Sequence, residues 1–168
     1  IMITEVEPYI FISNKIDQKH IDELIYLIKE CDGAEYYLKD VNKIHKTDWN
    51  MPKDMNRPYW QYFAEHCLDN FAADFLDQFK ADKLEVINYW FQMYKKGDFH
   101  NWHTHPMANF SHVLFLKANG MTEIQRSKYK NQDPEGAILT FPAFLKHKSP
   151  PAKDEKIVMA FNTNLQIL

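Results

Sequence analysis

The sequence predicts one α+β domain in which helices lie beside a run of short strands. Residues up to about 82 show mainly helical periodicity, whereas from about residue 83 segments rich in β-branched and aromatic residues alternate with glycine and proline. Because helices and strands are segregated along the chain, we expect a sandwich or barrel with the helices packed on one side. The length of 168 residues suits a single domain, 1–168.

Two helices are expected in the first part of the chain. Asp17 can cap the first, whose apolar residues recur at helical spacing: Ile21, Leu24, Ile25 and Ile28. The second begins near Pro58 and carries a stripe of mostly aromatic residues that predicts packing against a sheet: Trp60, Phe63, Cys67, Phe71, Phe75 and Phe79. Between the helices, the polar stretch from about Lys39 to Arg57 is predicted to be a long loop.

The second part of the chain contains five strand candidates. Each is rich in residues that favour strands, and glycine or proline lies between or beside them. The candidates are Leu84–Tyr94, Phe110–Lys117, Met121–Arg126, Ala137–Phe141 and Lys156–Asn162.

Composition excludes several classes of partner. The net charge is -3 and no run is rich in Lys and Arg, so a nucleic-acid partner is not predicted. No apolar stretch approaches the ~20 residues of a membrane span, and no signal peptide is predicted. The two cysteines, Cys31 and Cys67, are expected to be buried thiols in a reducing cytoplasm. The oligomeric state is left open.

Histidines are concentrated in one short segment. Four of the eight, His100, His103, His105 and His112, fall within thirteen residues. In an extended segment alternate side chains share a face, so His103 and His105 point the same way, about 7 Å apart at ~3.3 Å per residue. His147 follows a predicted strand that could return it beside the pair. We therefore expect these three to bind a metal, and His112 to be structural.

The ligand set indicates a catalytic metal. Imidazole suits zinc, copper, iron and nickel. A structural zinc site usually closes with four ligands, often cysteines, whereas here three histidines are evident and no cysteine is near them. Open coordination positions are what catalysis requires.

Two segments resemble a known family. The run from Tyr94 to His105, with Gly97 and His103 in place, resembles the motif of 2-oxoglutarate/Fe(II)-dependent oxygenases of the prolyl-4-hydroxylase type. The stretch from Gly136 through His147 resembles the segment that carries their second histidine. The chain also looks like a branch of oxygenases from marine bacteria and phages, with His-Thr-His in the motif and a terminal Phe-Asn pair.

The resemblance implies a double-stranded β-helix, jelly-roll or cupin-like, over about 83–168, with flanking N-terminal helices over about 1–82. It also implies Fe(II) as the metal, 2-oxoglutarate as cosubstrate and Lys156 as the residue that pairs with its distal carboxylate. The substrate would be a small molecule or a peptide, and the setting the cytoplasm of a bacterium or phage-infected cell.

Further cosubstrate contacts are expected on neighbouring strands. On the last strand Lys156 and Asn162 share one face with two small side chains between them, which leaves room for a dicarboxylate. Gln92 and Tyr94 resemble an amide-x-Tyr pair that could hydrogen-bond the cosubstrate, and Thr140 could contribute.

The sequence departs from the family at His105, where Asp or Glu is usual. Three neutral imidazoles would leave the Fe(II) site one positive charge richer. We expect His105 to be the third ligand; the alternative is that it turns away and Asp98 or a water replaces it.

Two other functions remain open. One is a cupin-like dioxygenase that uses three histidines and no 2-oxoglutarate; the other is a non-enzymatic β-barrel module that binds a metal or ligand. Production of succinate separates the first from a 2-oxoglutarate enzyme. A lack of O2 consumption with any ligand would favour the second.

Overall fold

A computed structural model describes residues 2–130 and 132–168. The helices are α1 (Gln18–Glu30), α2 (Pro58–Phe63) and α3 (Asp69–Phe79), and a π-helical stretch, Ala64–Leu68, joins α2 to α3. The first strands are β1 (Ile3–Glu7), β2 (Ile10–Ser13), β3 (Ala34–Leu38) and β4 (Asn42–Thr47). The later strands are β5 (Lys83–Tyr94), β6 (Phe99–His103), β7 (Phe110–Lys117), β8 (Glu123–Ile124), β9 (Ile138–Pro142), β10 (His147–Ser149) and β11 (Lys156–Gln166).

The strands form a curled antiparallel sheet with two faces. Its order is β1-β2-β9-β7-β11-β5-β4-β6-β10-β8, with β3 paired to β4. The larger face contains β9, β7, β11 and β5, and the smaller contains β6, β10 and β8. Strand β4 connects the faces because it pairs with both β5 and β6. This arrangement confirms the predicted double-stranded β-helix.

Strand register determines which side chains face the space between the two sheets. Strand β11 pairs with β5 so that Lys156 lies opposite Tyr94, Val158 opposite Gln92, and Ala160 opposite Trp90. Since alternate residues share a face, these six side chains point together into the interior, where they line a cavity.

The helices cover the outer side of the larger face. The aromatic stripe of α2 and α3 packs there as its spacing predicts: Phe71 contacts Phe161 edge-on at 5.9 Å, and Phe75 contacts Phe110 at 5.1 Å between ring centroids. The side chains of Phe63, Phe71 and Phe75 are buried. This layer of buried aromatic side chains supports the larger face from outside.

The prediction of a loop over Lys39–Arg57 is wrong in part, because β4 lies there. The sequence of β4, NKIHKT, is mostly polar, and pairing with neighbouring strands stabilises it rather than its own propensity. In addition, β2 pairs with β9, so the N-terminal part adds strands as well as helices.

The division of the domain near residue 82 stays a prediction. Among the described residues, no helix is long and apolar enough to cross a membrane.

Candidate metal centre

The three histidines of the predicted site converge. His103, His105 and His147 each offer a ring nitrogen within 4.8 Å of the others. His103 ends β6 and pairs across the smaller face with His147, the first residue of β10. His105 lies two residues beyond β6, and its backbone N–H donates to the carbonyl oxygen of Ala143 at 3.1 Å. Backbone pairing therefore brings all three rings to one point.

Hydrogen bonds orient two of the rings. Nδ1 of His103 lies 2.7 Å from the carbonyl oxygen of Asn101, and Nδ1 of His147 lies 3.4 Å from that of Leu145. A carbonyl oxygen only accepts, so in each ring Nδ1 carries the proton. The lone pair of Nε2 is then free for a metal, which is the usual arrangement of histidine ligands.

His105 is oriented by a side-chain network. Its Nδ1 lies 2.7 Å from Ser111 Oγ and 3.0 Å from Asn162 Oδ1. Ser111 Oγ also donates to Asn162 Oδ1 at 2.8 Å, and Asn162 Nδ2 donates to Asn88 Oδ1 at 2.8 Å. Asn162 was expected to contact the cosubstrate; in the structure its Oδ1 contacts His105 and Ser111, and its side chain lines the outer cleft.

Burial keeps these imidazoles neutral. Desolvation lowers the pKa of His105 to about 4, helped by the nearby His103, and it lowers the pKa of His147 for the same main reason. A neutral ring presents a free lone pair, so protons do not compete with a metal near pH 7.

His100 is a neighbour of the site to which the sequence assigns no role. Its ring stacks on His103 at 3.6 Å between centroids with an interplanar angle of 7°. Burial lowers the pKa of His100 to about 3.

Asp98, the alternative to His105 as third ligand, instead accepts the backbone N–H of Lys95 at 2.9 Å within the preceding turn.

Two cavities, an inner one and an outer cleft, meet at the histidines of the predicted site. The inner cavity, of about 40 Å³, is lined by Tyr94, Phe115, Thr122, Ser149, Lys156 and Val158. The outer cleft, of about 360 Å³, is lined by Tyr36, Val41, Asn42, Trp49, Asn88 and Pro106. Side chains that line both are Trp90, Gln92, His100, His103 and His105. A metal on the histidines would therefore face both spaces.

Lys156 lies at the deep end of the inner cavity and is 3% exposed. Its Nζ donates to Ser149 Oγ at 2.7 Å and lies 5.4 Å from the Tyr94 ring centre and 5.6 Å from that of Phe115. Desolvation lowers the pKa of Lys156, while the neighbouring Asp133 opposes that shift. Lys156 is therefore a buried cation of the interior rather than a surface lysine.

Asp133 is the partner that the sequence did not indicate. Its Oδ2 lies 3.2 Å from Lys156 Nζ, with the aspartate side chain fully buried. Its Oδ1 accepts the backbone N–H of Thr122 at 2.6 Å. The carboxylate comes from the irregular segment between β8 and β9, and no local pattern distinguishes it from the other acidic residues of the chain.

Only some of the remaining predicted cosubstrate residues lie at the inner cavity. Gln92 and Tyr94 line the inner cavity, and the Tyr94 hydroxyl donates to Gln92 Oε1 at 2.6 Å. Thr140 does not reach it: its Oγ1 lies 2.7 Å from Nδ1 of His112 on the helix-facing side of the sheet. His112 is fully buried there, and its Nε2 lies 2.7 Å from Thr163 Oγ1, as expected of a structural histidine.

A buried anchor fixes one side of the outer cleft. Asp48 accepts the backbone N–H of Phe91 at 2.8 Å, Arg57 Nε at 2.7 Å and the Tyr59 hydroxyl at 2.5 Å. Next along the chain, Trp49 contacts Trp90 edge-on, with 4.8 Å between ring centroids. The anchor thus holds Trp49 beside the histidines.

No protein-family model matches this sequence, and no curated protein sequence does either. Solved structures do share the fold. A viral collagen prolyl hydroxylase from Paramecium bursaria Chlorella virus-1, in complex with 2-oxoglutarate, is 18% identical with a TM-score of 0.65, covering 95% of this chain and 97% of that one.

Two further likenesses agree with it. A 2OG-Fe(II) oxygenase family oxidoreductase from Burkholderia pseudomallei is 11% identical with a TM-score of 0.68, covering 94% of this chain and 85% of that one. A Trichoplax adhaerens prolyl hydroxylase, in complex with a hypoxia-inducible-factor peptide, is 13% identical with a TM-score of 0.65, covering 93% and 83%. The chain therefore has the fold of these oxygenases.

Proposed function

We propose that this protein is an oxygenase that depends on Fe(II) and 2-oxoglutarate and hydroxylates a peptide or a small molecule. The observation that carries the proposal is the convergence of three neutral imidazoles, His103, His105 and His147, where a cavity containing a buried cation meets an open cleft. The shared fold supports it.

The side chains present offer contacts for both groups. Three ring nitrogens would hold iron and leave coordination positions open, as a catalytic metal requires. Lys156 would hold the distal carboxylate of 2-oxoglutarate by a charge-assisted contact, with Tyr94 and Gln92 along the side of the cavity. Once bound, iron and cosubstrate would supply the oxidising power for a C–H bond, while the chain positions the reactants and limits water.

One observation favours a second candidate function. Because Asp133 already pairs with Lys156, a three-histidine dioxygenase that does not use 2-oxoglutarate would also fit. The two candidate functions differ in their products, because only a 2-oxoglutarate enzyme converts the cosubstrate to succinate as O2 is consumed.

An anaerobic titration tests the proposed function directly. Fe(II) is added first and 2-oxoglutarate second, and we expect a visible metal-to-ligand charge-transfer band to appear only after the second addition. Admission of air should then yield succinate. The matched control is His147→Ala, which removes one ring and should show no band. Tight iron binding without a band or succinate would contradict the proposal in favour of the second candidate.

The outer cleft indicates an uncharged substrate. Among the described residues that line it, none is Asp, Glu, Lys or Arg, and Tyr36, Trp49 and Trp90 supply aromatic surface. Burying a substrate charge against such a lining would be costly. We therefore propose that the substrate segment entering this cleft is neutral and packs against the aromatic rings.

Replacing Trp49 with alanine tests this use of the cleft. Loss of one aromatic contact, worth about 0.5–1.5 kcal/mol, should lower kcat/KM for a stimulating substrate about 2- to 12-fold. The control is Trp102→Ala, because Trp102 is similarly exposed, 44% against 46%, but does not line the cleft. Substrate-stimulated succinate release is measured over a panel of neutral and charged peptides. Equal effects of both substitutions, or activity confined to charged peptides, would contradict the proposal that a neutral substrate segment packs in the outer cleft.

We also propose a cytoplasmic setting, in a bacterium or a phage-infected cell. Cys31 and Cys67 are both free and buried, and unpaired thiols of this kind persist in reducing compartments.

A further inference from the structure

Lys156 is already neutralised by a residue of the chain itself. Asp133 Oδ2 lies 3.2 Å from its Nζ, and the two side chains are 0% and 3% exposed. One backbone N–H holds the aspartate in turn, because Oδ1 of Asp133 accepts from Thr122 at 2.6 Å. Its own N–H donates to the carbonyl oxygen of Gly120 at 3.0 Å. The segment between β8 and β9 thus delivers a carboxylate to the deep end of the inner cavity.

A second carboxylate cannot simply join this pair. It would leave one buried cation facing two buried anions, and an uncompensated buried charge is strongly unfavourable. Space imposes the same limit. The free volume of about 40 Å³ beside Lys156 is small for 2-oxoglutarate, a five-carbon dicarboxylate.

We infer that Asp133 is an internal substitute for the distal carboxylate of 2-oxoglutarate, and that the cosubstrate binds by displacing it from Lys156. This inference rests on the proposed function. Displacement moves Asp133 outward, enlarges the inner cavity and frees the Thr122 N–H from its acceptor. The apparent affinity for 2-oxoglutarate is therefore lowered by competition from within the chain, and Asp133 sets which acids can enter.

The first test compares two ligands on two variants. Calorimetry measures 2-oxoglutarate and pyruvate binding to the Mn(II)-loaded protein; pyruvate keeps the keto acid but lacks the distal carboxylate. Asp133→Asn removes the competing charge and should tighten 2-oxoglutarate binding about tenfold or more, the size of one charge-assisted contact. Pyruvate affinity should change less than about twofold. The control is Asp154→Asn, an exposed carboxylate two residues from Lys156, which should alter neither ligand.

The second test uses the unaltered chain and decides the question even where the variant fails to fold. We expect 2-oxoglutarate, but not pyruvate, to speed hydrogen exchange at the Thr122 amide. Unchanged or weaker 2-oxoglutarate binding by Asp133→Asn, or an unaffected Thr122 amide in the saturated protein, overturns displacement while leaving the proposed function intact. Absence of saturable 2-oxoglutarate binding to the Mn(II)-loaded wild type overturns both.

Discussion

Replacing His105 with alanine is expected to reduce metal affinity at least about 100-fold. Removing a residue that only hydrogen-bonds to a metal ligand usually costs less than this. The reason is geometric: its ring nitrogen completes a group of three that lie within 4.8 Å. His105→Asp should keep iron bound, because a carboxylate with two histidines is a common Fe(II) ligand set. Competition titration with a metal chelator measures the affinities.

The control for this series is His66→Ala. His66 lies on the π-helical stretch with a side chain 40% exposed, so its loss should leave metal affinity unchanged. Full iron occupancy in His105→Ala would show that the centre uses two histidines, and the third ligand would then have to be sought elsewhere.

Replacing Lys156 with alanine is expected to destabilise the whole fold, in addition to weakening 2-oxoglutarate binding. The substitution leaves Asp133 as a buried carboxylate without its cation, and removing one partner of a buried pair typically costs about 3–5 kcal/mol. For a domain of this size that corresponds to a fall in Tm of about 6–20 °C. Urea and thermal unfolding in the absence of ligand measure the loss.

Two further variants test whether the unpaired charge of Asp133 causes the loss of stability in Lys156→Ala. The double variant Lys156→Met with Asp133→Asn removes both charges and should recover most of the stability. Lys117→Ala breaks the exposed pair with Glu155, whose side chains are 45% and 39% exposed, and should cost no more than about 1 kcal/mol. If Lys156→Ala unfolds like the wild type, the buried pair does not stabilise the fold.

The parts of the site that could be predicted depend on short-range spacing. The i, i+2 relation of His103 and His105, and the change to strand periodicity near residue 83, are local patterns that survive folding. The role of Lys156 was assigned from the family resemblance, and strand alternation supported it by placing Lys156 on the same face as two small side chains. His105 lies just past β6 rather than within it, yet its ring still converges with those of His103 and His147.

Two predicted cosubstrate residues, Thr140 and Asn162, do not line the inner cavity, and one partner of Lys156 was not predicted, each for an identifiable reason. All five residues of β9 are buried, so hydrophobicity does not reveal which face Thr140 occupies, and it points toward the helices. Asn162 has the expected parity but lies too far along β11 from Lys156, and it contacts His105 instead. Asp133 pairs with Lys156 through a tertiary contact from an irregular segment, which no periodicity encodes.

The anchor at Asp48 has a consequence for how a substrate is received. Three hydrogen bonds to one buried carboxylate, from Phe91, Arg57 and Tyr59, fix the backbone beside Trp49 before any ligand arrives. A preorganised surface loses little conformational entropy on association, so more of the contact energy appears as affinity. Substrates of different length should then encounter the same rigid aromatic surface at similar rates and differ chiefly in residence time.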